Sequence, residues 1–136
     1  MSIAIENLIP HRAPMRFIDA LTECTESAAV ATACFRADSF AVENGFVLET
    51  ALVECVAQTV AAALGWHAQA DGKTGAIHIG MLVAVSNFKI DSRPAIGKIL
   101  RIEIFKRKRL GPMLMISSNI SCDGQLIASG GLTLYA

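Results

Sequence analysis

One stretch limits what this chain can fold into: Phe46–Leu64, which reads FVLETALVECVAQTVAAAL. It is long enough for about five turns of helix. It is apolar on nearly every side, and a helix hydrophobic all round is normally wrapped by the rest of its protein. Yet Glu54 stands at its centre, with Thr50 one turn before it and Gln58 one turn after. Residues four apart share a helix face, so these three form one narrow polar line. A carboxyl enclosed in low dielectric resists ionisation, and one poised in that way suits proton transfer. The alternative is a carboxylate on a groove edge, or one merely hydrogen-bonded to backbone.

The rest of the chain supplies the wrapping. Arg16–Leu21 and Ala28–Phe35 are expected as two strands of a hairpin. Asn44-Gly45 is a turn dipeptide directly before the helix, with Asn44 as its N-cap, and the helix is expected to stop near Gly65. After a polar loop, Gly75–Lys89, Ile99–Arg107, Leu114–Ser121 and Gln125–Tyr135 all read as strands. In Ile99–Arg107, Leu100, Ile102 and Ile104 alternate with Arg101 and Glu103. Asp123-Gly124 makes a tight hairpin turn, and Gly130 with Gly131 marks a bulge or a close approach. The sum is an α+β domain over residues 1–136: an antiparallel sheet curling round one long helix.

Composition narrows the function classes. The 136 residues carry a formal net charge of zero, and nothing suggests nucleic-acid binding, which would want a basic face. The apolar fraction is 53%, above the usual range of about 45–50%. In a small protein that surplus points to a buried subunit interface or to an apolar ligand channel. Cys24, Cys34, Cys55 and Cys122 form no C-x-x-C pair and have no His at zinc spacing. No metal site is expected, and a reduced, cytoplasmic protein is. The opening MSIAIENLIPHR lacks the pattern of a signal peptide. Glu49, Glu54 and Gln58 interrupt the helix too often for a membrane span.

Four pieces, in consistent order, resemble one family. Leu8–Asp19, LIPHRAPMRFID, is similar to an opening L-P-H-R-x-P run. Leu52–Gln58, LVECVAQ, is similar to a central-helix run around an acidic residue. Asn87–Gly97, NFKIDSRPAIG, is loosely similar to F-x-x-P-V-x-P-G. The closing CDGQLIASGGLTL is similar to a final-strand D-G-x-x-x-A pattern. Together these resemble the 3-hydroxyacyl-acyl carrier protein dehydratases of fatty acid synthesis, which have the hotdog fold. The resemblance implies Glu54 as the family's acidic residue and Gln58 as its partner on the helix, and Thr50 and Gln58 are expected to contact the substrate. It also implies a thioester substrate on phosphopantetheine or coenzyme A and no further cofactor.

One family element is missing. The dehydratases carry a His in G-H-F-P-G upstream of the helix, and here the corresponding stretch is DSFAVENGF, with Phe40 near the position of the His. Dehydration needs one group to take a proton beside the carbonyl and another to protonate the departing hydroxyl. Three readings follow. In the first, Glu54 makes both transfers or a His from elsewhere stands in, for which His11 has the best position in a resembling motif, ahead of His67 and His78. Alternatively Glu54 or Glu49 activates water in a hotdog thioesterase. Or the chain is a non-catalytic or heteromeric subunit that binds acyl carrier protein, opposite a partner that supplies His. The N–H groups of Gly45 and Phe46, at the expected helix start, are candidates to polarise the thioester carbonyl. Lys106, Arg107, Lys108 and Arg109 could dock an acidic carrier protein or simply form a solvated strand end. A homodimer or higher assembly is expected, or a heterodimer with another hotdog subunit.

Overall fold

A computed structural model describes residues 4–72 and 81–135. After a short 3-10 turn at Ile5–Asn7, the chain forms β1 (Ile18–Cys24), β2 (Ala28–Cys34), β3 (Val42–Glu43) and β4 (Phe46–Val47). The helix α1 (Glu49–Ala70) follows, then β5 (Met81–Ile90), β6 (Ile99–Leu110), β7 (Met113–Cys122) and β8 (Gln125–Tyr135). Six strands form one antiparallel sheet in the order β1-β2-β6-β7-β8-β5, and α1 lies against its β1-β2-β6 part. This is the hotdog plan. His78 and the first part of the expected strand Gly75–Lys89, residues 75–80, lie outside the described residues.

Alternation decides which side chains meet the helix. Leu100, Ile102 and Ile104 of β6, Leu114, Ile116 and Ile120 of β7, and Leu132 and Leu134 of β8 are buried. They share a core with Leu52, Cys55, Val56 and Val60 of α1. Burial pushes the Cys55 thiol up, as suits an inert core residue.

Both turn dipeptides behave as their chemistry dictates, but one is placed differently from expectation. Asp123 and Gly124 have φ of 53° and 76°, and Asn44 and Gly45 have φ of 54° and 82°. Two consecutive positive φ values make the tight turn that suits a two-residue hairpin. Asn44-Gly45 therefore joins β3 to β4 and does not cap the helix. Leu48 is the N-cap residue, and α1 starts at Glu49. Arg93 fixes this hairpin. Its guanidinium donates to the carbonyls of Val47 (2.9 Å), Phe46 (3.2 Å) and Glu43 (3.3 Å).

The helix also ends later than expected. Gly65 lies inside it, buried, and α1 continues to Ala70. Packing accounts for the glycine: a Cβ there would overlap the carbonyl group of Leu8. The Ile5–Ile9 segment thus crosses the helix backbone at close range. Gly65→Ala is expected to destabilise the fold by about 1–3 kcal/mol, as overpacking does. Urea denaturation measures this, and an unchanged midpoint would contradict the close approach.

Gly130 and Gly131 mark a second close approach. A Cβ on the first would meet Phe88, and one on the second would meet the Ser86 hydroxyl. The bulge itself is on the partner strand, where the β5 register shifts between Ser86 and Lys89 and Asn87 has φ of 51°.

Candidate active site

The wrapping of α1 is incomplete. Leu52, Cys55, Val56 and Gln58 are buried, whereas Thr50 is exposed and Val53, Glu54 and Ala57 are only partly covered. One stripe of the helix therefore faces outward. The Glu54 side chain on it is 40% exposed, not sealed in the apolar interior that the sequence pattern suggested. The apolar residues around it in sequence turn toward the sheet, and the carboxyl sits on the remaining face.

His11 meets it there. Its Nε2 lies 3.5 Å from Glu54 Oε2. The ring reaches this position on the segment between the 3-10 turn and β1, whose course Arg12 fixes. The Arg12 guanidinium donates to the carbonyls of Ile9 (2.9 Å), His11 (2.9 Å) and Glu6 (3.0 Å). The other ring nitrogen, Nδ1, is buried and has no hydrogen-bond partner among the described residues.

Gln58 joins the two halves of the site. Its amide nitrogen donates to Glu54 Oε2 at 2.9 Å and to the Met15 carbonyl at 2.9 Å. Its amide oxygen accepts from the N–H groups of Phe17 (2.8 Å) and Ile18 (3.4 Å). A glutamine amide has two donors and two acceptor sites, and all four are engaged. The side chain is also fully buried. Gln58 therefore has no polar capacity left for substrate, contrary to its expected binding role. It holds the carboxyl of Glu54 and the segment that carries His11.

The ring of Phe17 packs at a tilt against Phe35 (centroids 5.2 Å apart) and Phe40 (5.8 Å). The residue standing near the place of the family's histidine is thus part of an aromatic wall beside the strand that Gln58 grips. Phe40 and Met15 remain more than half exposed, giving this region apolar surface next to the acid–histidine pair.

Other sequence candidates fall elsewhere. Gly45 and Phe46 are not at a helix start. Gly45 is in the β3–β4 turn, and its carbonyl accepts from Ile96 N at 3.0 Å. Phe46 pairs with Glu43 and Ala95. Their N–H groups belong to a hairpin, so neither can polarise a carbonyl from the helix terminus. Glu49 opens the helix, exposed, where the helix dipole favours its charge. His67 is in the last turn, about 20 Å along the helix from Glu54. Its Nε2 lies 3.7 Å from Cys24 Sγ. That pair is not an activated nucleophile, because burial pushes the Cys24 thiol up to about 11.

The basic run does not form one patch. The β6–β7 register shifts between Lys106 and Lys108. Arg107 turns to the outer face of the sheet, where its Nε donates to Ser117 Oγ at 2.8 Å, while Lys106 and Arg109 line a recess beside α1. The bulge divides what the sequence presents as one stretch.

Comparisons with known proteins agree with this architecture. The family described as "ApeP-like: ApeP dehydratase" matches residues 3–136. No curated protein sequence matches. Among solved structures, the dehydratase heterocomplex ApeI:P from Xenorhabdus doucetiae is similar with a TM-score of 0.90 at 19% identity, covering 99% of this chain and 91% of that one. A hypothetical thioesterase from Streptococcus pneumoniae TIGR4, solved with coenzyme A, has a TM-score of 0.65 at 13% identity, covering 85% and 83%. Thioesterase superfamily member 2 from Mus musculus has a TM-score of 0.64 at 17% identity, covering 84% and 78%. At these identities the likeness shows the hotdog fold. Among the described residues, no helix is long and apolar enough to cross a membrane.

Proposed function

The chain belongs to the ApeP-like dehydratase family, and from that premise we propose that it acts on 3-hydroxyacyl thioesters, with His11 and Glu54 as the proton-transferring pair. The observation that carries this reading is the 3.5 Å approach of His11 Nε2 to Glu54 Oε2. Elimination of water breaks one C–H bond beside the thioester carbonyl and one C–O bond at the next carbon. One member of the pair takes the α-proton, and the other gives a proton to the departing hydroxyl. Because the two groups adjoin, a proton passed between them restores the starting state after each turnover. No cofactor is needed beyond the phosphopantetheine or coenzyme A that carries the substrate. Thr50, exposed one turn before Glu54 on the open stripe, would contact the thioester through its hydroxyl.

The open stripe of α1 and the edge strand β5 support an assembly with a second hotdog subunit. Met81, Leu82, Val83 and Val85 of β5 are all at least 40% exposed, and β5 ends the sheet. An apolar edge strand is a template for pairing with another chain. The ApeI:P heterocomplex favours a different hotdog chain as that partner, with a homodimer as the alternative. Arg107 and Lys108, exposed at the end of β6, suit an acidic carrier protein. The four cysteines are free, which suits a reducing cytoplasm.

A second reading rests on the partial exposure of Glu54. A carboxylate open to water can activate it for thioester hydrolysis, and two of the similar structures are described as thioesterases. Incubation with a 3-hydroxyacyl thioester, alone and with the second subunit, separates the readings. The dehydratase reading expects enoyl absorbance without free thiol. Free thiol without enoyl product would establish the hydrolase instead, and neither signal would leave a binding subunit.

A further inference from the structure

Toward the far end of α1 from Glu54, a recess opens between the helix and the sheet. Its walls are apolar, with Val60 and Leu64 from the helix facing Ile104 and Ile116 from the sheet, and its volume is about 70 Å³. Lys106 and Arg109 stand at its rim, with Glu26 as the one carboxylate and His67 beside them.

The bulge in β6 puts both cations there. Lys106 pairs with Ile116, and Arg109 pairs with Leu114. Cross-strand partners share a face of the sheet, and Ile116 and Leu114 are buried on the helix side. Strict alternation would have given that face Lys106 and Lys108. With one extra residue inserted, Arg107, it receives Lys106 and Arg109. The rim is tied in place as well. Lys106 N donates to the Ser27 carbonyl at 2.8 Å, and Thr25 Oγ1 accepts from the N–H groups of Ala28 (3.1 Å) and Ser27 (3.3 Å).

An apolar recess with a few charged groups at its mouth is the general form of a small-molecule site. Two permanent cations against one carboxylate select an anionic head, and the walls select a hydrocarbon tail. We propose that this recess is a ligand site separate from the His11–Glu54 pair, for a small amphiphile with an apolar tail and a terminal carboxylate. At roughly 10–15 Å³ per water-sized group, the volume admits a tail of about five carbons.

Calorimetric titration of the full chain with butanoate, hexanoate, octanoate and hexanol tests this. Affinity is expected to rise about fourfold for each methylene that enters and to flatten beyond about six carbons. Hexanol should bind about tenfold more weakly than hexanoate, because it lacks the charge. Replacing both cations, Lys106→Ala with Arg109→Ala, should remove that preference and leave hexanol binding unchanged. Methyl NMR locates the ligand, with shifts expected at Val60 and Leu64 and hexanoate affinity unaltered by Glu54→Gln. No binding of hexanoate, equal binding of hexanol, or shifts confined to the turn around Glu54 would each overturn the proposal. None of these readouts depends on turnover, so their failure would leave the dehydratase reading standing.

Discussion

Glu54→Gln is expected to lower the rate of enoyl formation by about a hundred- to ten-thousandfold, the range over which a positioned acid or base acts. The substitution is nearly isosteric, and it removes the negative charge together with the capacity to exchange a proton. The amide oxygen it introduces can still accept from Gln58 Nε2, which now donates to Glu54 Oε2 at 2.9 Å. The side chain is 40% exposed, so stability should shift by no more than about 0.5 kcal/mol. A large fall in kcat with an unchanged melting temperature would assign the carboxyl to chemistry. Unchanged turnover would remove Glu54 from the mechanism.

Gln58→Leu is expected to damage both fold and rate. The leucine fills much of the same volume but satisfies neither the Met15 carbonyl nor the Phe17 N–H, which the amide now meets at 2.9 and 2.8 Å. Each buried polar group left without a partner costs about 1–3 kcal/mol. For a domain of this size, the melting temperature should fall by about 10 °C. At temperatures where the variant remains folded, turnover should still be depressed, because the segment carrying His11 and the carboxyl of Glu54 both lose their common anchor. A variant with normal stability and normal kcat would show that the amide network does not position the pair.

Much of the fold was legible in local pattern. The apolar run around Glu54, the alternation through Leu100, Ile102 and Ile104, and the Asp123-Gly124 turn each specify their element from a few neighbouring residues. Asn44-Gly45 was legible as a turn, but two hairpin strands of two residues each leave no periodic signal. The residue pattern therefore suggests a helix start too early in the chain, whereas the N–H groups of Gly45 and Phe46 lie in a hairpin ahead of the true N-cap, Leu48. Gly65 looked like a stop signal because a close approach by Leu8, distant in sequence, leaves no local mark.

The site was half legible for the same reason. Glu54 and Gln58 are visible as a polar line on an apolar helix. The approach of His11 is set by contacts that join residues more than forty positions apart in sequence, chiefly those of Gln58 with Met15 and Phe17. The division of the basic run depends on one inserted residue in β6, which a count of charges does not reveal. How far Glu54 is covered depends on which helix face the sheet takes, and an all-round apolar pattern leaves that face unspecified.

Histidine and acid acting as one proton-transferring unit is the central claim, and a double-mutant cycle tests it most directly. Rates of enoyl formation are measured for the wild type, His11→Gln, Glu54→Gln and the double variant under the same conditions. Groups that act as a unit are strongly non-additive, so the double variant should be no slower than the slower single variant. Losses that multiply, so that the double variant falls by the product of the two single effects, would show that His11 and Glu54 work independently and would contradict the account.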